Sequence, residues 1–333
     1  MRQRPTVRAA ALTGFGALAR SYGLDSAAIL RACGVAGQAE QDPDRRLPTA
    51  AVNRAFERAA ELAGIEDFGL RLAELRGFSN LGPVTMLARD EPDIRSALSI
   101  FTAYLPLHNE ALTIDLSEQD DLAVLACAVA GDGPRVQATD VAVAMLHRIL
   151  RQLLGAGWAP IAIYLERERP VHASQFARVF GAPVHYAQDF SGIVLSRADL
   201  DRPNQLAQAA LRPYAAQVRA ALPGLSELPM AERVTRLLRA MLAGRRCTAT
   251  LAAERLGLSR RTLERRLAEE RTSFHALLDD VRSELARGQL TGSRRSNSEI
   301  AELLGFASSA AFTAWFAKRH GLPPQAWRRE QMR

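Results

Sequence analysis

The sequence predicts an α+β N-terminal domain followed by an all-α C-terminal domain, in which two short helical pairs are joined by a long helix. Three observations predict it. Apolar residues recur at threes and fours through the first 75 positions, alternate between about 112 and 129, and return to helical spacing after about 230. Charge divides the chain in the same place. From Ala231 onward there are 20 Arg and Lys against 11 Asp and Glu, a net +9; the earlier residues hold 23 against 25, about −2, of a total of +7. Finally, 333 residues exceed the usual size of one domain.

The elements follow in order. AAILRACGV and PTAAVNRAFERAAELAG have helical spacing, with Pro48 and Thr49 as a start and Gly64 as a stop. DEPDIRSALSIFTAYLPLHN reads as a helix whose first turn is acidic, Asp90 to Asp93. In ALTIDLSEQDDLAVLACAVAG, Leu112, Ile114 and Leu116 precede a polar turn and Val124 and Val129 follow it. That pattern predicts a hairpin with a loop longer than two residues. DVAVAMLHRILRQLLGAG is again helical, and APIAIYLERE and GIVLSR are short strands flanking FARVFGAPVHY. Few strands among many helices fit an α+β domain better than a repeating βαβ series. Pro223, Gly224 and Pro229 mark the best linker. The expected division is therefore 1–220, a linker over 221–230, and 231–333.

Several classes are excluded. No window has 18 nearly uncharged apolar residues, so no membrane partner is expected. The arginine-rich start lacks a signal-peptide core, and three scattered cysteines, Cys33, Cys127 and Cys247, suit the cytoplasm. No G-x-G-x-x-G, P-loop, G-x-S-x-G or H-E-x-x-H occurs, and the six histidines are far apart. Each reads as a surface or helix-end residue. The acidic pairs Asp120–Asp121 and Asp279–Asp280 read as solvated turns. No enzyme, cofactor or metal is expected.

The basic region carries the function. In TLAAERLGLSRRTLERRL, Leu251, Ala252 and Leu256 form a short apolar face, Gly257 turns the chain, and Ser259 can cap the next helix. There Leu263 and Leu267 face inward, while Arg261, Glu264 and Arg265 share an outer face at i, i+3 and i+4. This is the form of a helix-turn-helix, in which arginines on the second helix can pair with guanine edges in a major groove. Such shapes also serve as plain packing units. The pattern recurs, however: Ala253, Leu256 and Gly257 return as Ala301, Leu304 and Gly305, and Leu263 and Leu267 return as Phe312 and Phe316. Ser296 or Asn297 can cap the first helix of this copy. The amphipathic SFHALLDDVRSELARGQL lies between the units, giving two helix-turn-helix subdomains (about 249–267 and 297–316) joined by a long helix. Two readers on one side could enter successive major grooves about 34 Å apart. Arg260, Arg266, Arg282, Arg294, Arg295 and Lys318, the chain's single lysine, are candidates for phosphate contact; an ordinary solvated surface is the alternative for each.

LAAERLGLSRRTLERRL, IAELLGF and AFTAWFAKRHGLPPQAWR together resemble the DNA-binding domain of the AraC/XylS family of bacterial transcription regulators, over roughly 234–328. RLPTAAVNRAFERAAELAG, FGLRLAE, LGPVTMLARDEPDIRSAL and FGAPVHYAQDFSGIVLSRADLDRP resemble, more loosely, the arabinose-binding-like sensor domain of one branch. The resemblance implies a sequence-specific regulator of double-stranded DNA, usually an activator, that works with RNA polymerase, answers a small-molecule effector and can form a homodimer. It places base contacts on Arg261, Glu264 and Arg265, and in the second unit on Ser309, Ala310, Thr313 and Ala314. A repressor or architectural protein whose first domain only oligomerises is the alternative. Departures from the family are Ala314 for a common arginine, Ala307 for a common cap (Ser308 can replace it), Gly288 within the linking helix, and Arg271 where a turn glycine is usual. A sensor pocket follows only from the resemblance, with Tyr104, His108, Trp158 and Tyr186 as lining candidates.

Overall fold

A computed structural model describes residues 5–35, 42–77, 82–131, 133–208, 229–243, 247–292 and 295–331. The expected linker at 221–230 lies outside the described residues except for Pro229 and Met230. The chain divides into two compact units, the first of residues 1–129 and 135–224, the second of 130–134 and 225–333.

The first unit runs β1 (Thr6–Arg8), a 3-10 turn (Ala9–Leu12), α1 (Phe15–Ser21), α2 (Ser26–Ala32), β2 (Arg46–Pro48), α3 (Thr49–Ala63), α4 (Phe68–Glu74), α5 (Pro83–Arg89) and α6 (Ile94–Tyr104). After a second 3-10 turn (Leu105–Leu107) come β3 (Leu112–Gln119), β4 (Leu122–Val129), α7 (Val136–Leu154), β5 (Ala162–Tyr164), α8 (Ala173–Phe180), β6 (Val184–His185), β7 (Ser191–Ser196) and α9 (Arg197–Leu200). The main sheet has the order β3-β4-β7-β5-β6 and is antiparallel except for β5 and β6. Mixed helices and a mostly antiparallel sheet make this the expected α+β architecture.

Local chemistry accounts for the elements. Pro48 precedes α3, Gly64 ends it at φ 65°, and Val52, Ala55, Phe56 and Ala59 make its buried stripe. Helix α7 buries Val143, Leu146, Leu150 and Leu153. It meets α4 so closely that a Cβ on Gly69 would lie 2.2 Å from the Gln137 carbonyl oxygen. Only glycine fits there, and its N–H donates to the Gln137 side chain at 2.7 Å.

Three expectations need correction. The first 75 residues are not wholly helical, because β1 and β2 pair antiparallel. The hairpin loop is the tightest kind: Gln119 pairs with Leu122, leaving only Asp120 and Asp121 in the turn, with Asp120 in the left-handed region at φ 53°. Glu118 and Gln119 extend the ladder because a solvent-facing strand end tolerates polar side chains. Asp90 and Glu91 precede α6 rather than forming its first turn; Asp93 is the cap, accepting from the Ser96 N–H at 2.7 Å.

The described part of the second unit is wholly helical: α10 (Met230–Ala243), α11 (Ala249–Arg255), α12 (Arg260–Glu269), α13 (Phe274–Gly292), α14 (Asn297–Leu303), α15 (Ser309–His320) and α16 (Pro324–Gln331). It has two cores. Val234, Leu238, Ala252, Ala253, Leu263, Leu267, Leu277 and Val281 close the first, with Leu251 and Leu256 only partly buried. Ala286, Leu290, Ile300, Ala301, Leu304, Phe312 and Phe316 close the second. Helix α13 supplies side chains to both and passes Gly288 without a break, and Leu285 packs against both clusters. The Glu270 carboxylate receives the free N–H groups of Met230 and Ala231, at 2.5 and 2.8 Å, and so caps α10 from another helix.

Arg271 closes α12 with φ 57°, its N–H donating to the Ala268 carbonyl and that of Thr272 to Leu267. A left-handed non-glycine costs about 1–2 kcal/mol, and a glycine's extra unfolded-state entropy offsets about 0.5–1 kcal/mol of that. Arg271→Gly is expected to raise stability by about 0.5–1 kcal/mol, read as a higher urea midpoint. A lower midpoint would mean that the arginine side chain contributes more than its backbone costs.

Candidate nucleic-acid interface and sensor cavity

The first unit and the second each hold one candidate site. In the second, the Ser259 hydroxyl accepts the Thr262 N–H at 3.1 Å and starts α12. Gly257, at φ 67°, makes the preceding turn. With Leu263 and Leu267 fully buried, the helix phase turns Arg261, Glu264 and Arg265 outward, and all three are exposed. Arg260 pairs with Glu264 at 2.8 Å and Arg265 with Glu269 at 2.6 Å, both at i,i+4 on open surface. Such pairs are worth about 0.3–0.5 kcal/mol, too little to hold either arginine back from a stronger partner. Arg261 is exposed and has no ion-pair partner among the described residues.

The second copy is built alike. Ser296 and Glu299 form a full capping box on α14, and Ser308 caps α15 by accepting from the Ala311 N–H at 3.1 Å. Phe312 and Phe316 replace the leucines of the first copy and are fully buried. On the outer side Ala310 and Ala314 are exposed, while Ser309 and Thr313 are half-buried.

The phosphate candidates separate on inspection. Arg266 and Lys318 are exposed, as is Arg260 within its pair. Arg282 is committed elsewhere. It donates to the carbonyls of Leu304 and Gly305 at 2.9 and 3.1 Å and lies 4.6 Å over the Phe306 ring. It therefore satisfies the C-terminal carbonyls of α14 and ties the second turn to α13, which removes it from the free cations. No local pattern announces this role, because the contact spans 22 residues. Arg295 is half-buried, and its carbonyl accepts from Arg328 at 2.6 Å. Arg294 lies outside the described residues.

In the first unit a cavity of about 70 Å³ lies between the sheet and helices α3, α6 and α7. Its walls are mostly apolar, with Phe56, Phe101, Ile114, Val141 and Met145 among them. Its polar groups are Thr49, Asn53, Arg76, His108 and Asn109. Of the lining candidates read from the sequence, His108 is in this wall; Tyr104, Trp158 and Tyr186 are not. Trp158 donates its indole N–H to Asp199 at 3.0 Å, and Tyr186 packs edge-on against Phe176. Two histidines expected at the surface are buried instead: His108 and His147, 9% and 1% exposed. Burial and the charges of Arg8, Arg76 and Arg46 hold the His108 imidazole down to about 3, so it is neutral at physiological pH. Thr49 and Arg76 had no sequence signal, since a threonine at a helix start and a lone arginine are common surface features.

Comparison with known proteins decides the family. Residues 23–204, more than half of the chain, match the family described as the arabinose-binding domain of AraC transcription regulator, N-terminal, and residues 252–330 match a helix-turn-helix domain. The chain belongs to the AraC/XylS family. This AraC/XylS regulator is similar along its length to the HTH-type transcriptional regulator VirS of Mycobacterium tuberculosis, 27% identical over 97% of this chain and 96% of VirS. It is also similar to the ornithine utilization regulator of Pseudomonas aeruginosa, 28% identical over 93% of each. A crystal structure of the transcriptional regulator CdpR from Pseudomonas aeruginosa aligns with 94% of this chain and 97% of that one, at 20% identity and a TM-score of 0.41. Family membership makes the chain a DNA-binding transcription regulator and not an enzyme. Among the described residues no three His, Cys, Asp or Glu side chains are grouped to hold a metal ion, and no helix is long and apolar enough to cross a membrane.

Proposed function

We propose that this regulator is an activator controlled by a small-molecule effector, acting in the cytoplasm with RNA polymerase. In this reading residues 1–220 bind the effector and can pair two copies, 221–230 form the linker, and 231–333 read the promoter. The observation that carries the promoter-reading part is the outer face of α12, where Arg261, Glu264 and Arg265 stand exposed on a helix capped at its start and anchored by two buried leucines. Arginine is the residue that reads guanine bidentately. Glu264 can accept from a cytosine amine. With alanines at 310 and 314, α15 offers only Ser309 and Thr313 as short polar readers, so α12 supplies most of the discrimination. Arg260, Arg266 and Lys318 are assigned to phosphates, which makes the affinity salt-dependent.

Arg265→Ala is expected to cost about 1–3 kcal/mol on the cognate site and to relax preference at one base pair. Binding to a promoter set randomised one position at a time measures both. An equal loss on every sequence would make Arg265 a phosphate contact instead. A reporter fusion assayed with and without a metabolite library tests the activator reading. Clear DNA binding with unchanged or lowered transcription would favour a repressor or architectural protein whose first domain only oligomerises.

A further inference from the structure

The cavity of the first unit has the chemistry of a particular ligand class. Arg76 is 5% exposed, and its guanidinium donates to the carbonyls of Ala11 and Thr13 and lies 5.6 Å from the centre of the Phe56 ring. Among the described residues no carboxylate pairs with it. Burial lowers it to about 9, which still leaves it charged at neutral pH. A buried charge without a counter-charge is costly, and proteins keep one where something else supplies the partner. Among the described residues two further groups lining this cavity have no hydrogen-bond partner: the Thr49 hydroxyl, 2% exposed, and Nδ1 of His108. Among the described residues no acidic side chain lines the cavity. The rest of the wall is aliphatic and aromatic, and the free volume, about 70 Å³, is room for roughly five waters by that measure.

We infer that this cavity binds a short-chain carboxylate, its anionic head at Arg76, Thr49 and His108 and its apolar chain along Phe56, Phe101 and Met145. The carboxylate neutralises the guanidinium and accepts from the hydroxyl and from a neutral imidazole N–H. A cationic amine would meet Arg76 with no acid to offset it. An alcohol would fill the volume and leave the charge unpaired. The inference rests on the effector reading proposed above and names the ligand class and the residues for it.

The test uses the full chain and three matched probes: pentanoate, 1-pentanol and pentylamine. Calorimetric titration is expected to give pentanoate a dissociation constant about 10- to 100-fold below that of 1-pentanol, the range of a charge-assisted hydrogen bond, and no binding of pentylamine. Thr49→Val, which keeps the shape of the wall, is expected to weaken pentanoate several-fold and leave 1-pentanol unchanged. Arg76→Gln is expected to abolish the preference between the two probes. Because that preference is a ratio within one variant, a loss of stability does not imitate it. Equal affinities for pentanoate and 1-pentanol in the native chain, or binding by neither, would overturn the carboxylate assignment. Should a metabolite library still raise reporter transcription in that case, effector control survives and only this assignment falls. Should pentanoate bind at Arg76 while no carboxylate alters transcription, the cavity assignment survives and effector control falls.

Discussion

Arg167→Met is expected to destabilise the first unit by about 3–5 kcal/mol at neutral pH, the cost of stranding one half of a buried ion pair. Arg167 and Asp140 are 9% and 1% exposed and joined by a charged hydrogen bond. The guanidinium also donates to the Glu66 carbonyl at 2.8 Å and lies 5.1 Å over the Phe176 ring. Methionine keeps the apolar bulk and removes the charge, leaving Asp140 bare in a dry site. The loss is pH-dependent in a defined direction. Burial already raises Asp140 to about 6 and, with the charge of Asp140 as a smaller contribution, Glu57 to about 7. Both hold their protons more tightly folded than unfolded. Their stabilising share is therefore present near pH 4 and lost as pH rises through about 6 and 7. The variant should be close to native at pH 5 and weakest above pH 7. Hydrogen exchange along α7 measures this, and Asp140→Asn in the Arg167→Met background should recover much of the loss. Equal destabilisation at pH 5 and pH 8 would mean that packing, not charge, accounts for the effect.

Phe316→Ala is expected to melt the second helix-turn-helix while sparing the first. Phe316 is fully buried and touches the rings of Phe312, Trp315, His320 and Trp327. Truncating a buried phenylalanine costs about 3–5 kcal/mol, a large part of what so few buried side chains can supply. The first cluster shares none of its fully buried members with the second, so its protection should persist. Hydrogen exchange should rise across 295–331 and stay low across 249–270. An equal rise in both segments would show that α13 couples the two cores into one cooperative unit. Cognate DNA binding should weaken strongly and fall back on the contacts of α12.

The helix-turn-helix units were legible because their determinants are local. Gly257, Ser259, Leu263 and Leu267 lie within about three helical turns of each other, and the pattern reappears in the second copy, one residue longer in the turn, with Gly305, Phe312 and Phe316. Capping and helical phase act over three or four residues, so a linear pattern carries them. Ser308 is the cap for the same reason. The hairpin was legible in kind but not in its turn, since Glu118 and Gln119 are polar enough to read as loop until the ladder pairs them.

By itself, then, the sequence determined the two-part organisation, the α+β and all-α classes, the repeated reader and the outward face of α12. Tertiary structure alone decided the rest. Arg282 leaves the set of free cations only because α13 brings it beside the carbonyls at the end of α14. Thr49, Arg76 and His108 come to line one cavity only when α3, the chain after α4 and the turn after α6 converge. The physical reason is distance. Periodicity and capping are properties of neighbouring residues, whereas the desolvation of a charge depends on which distant segments close over it.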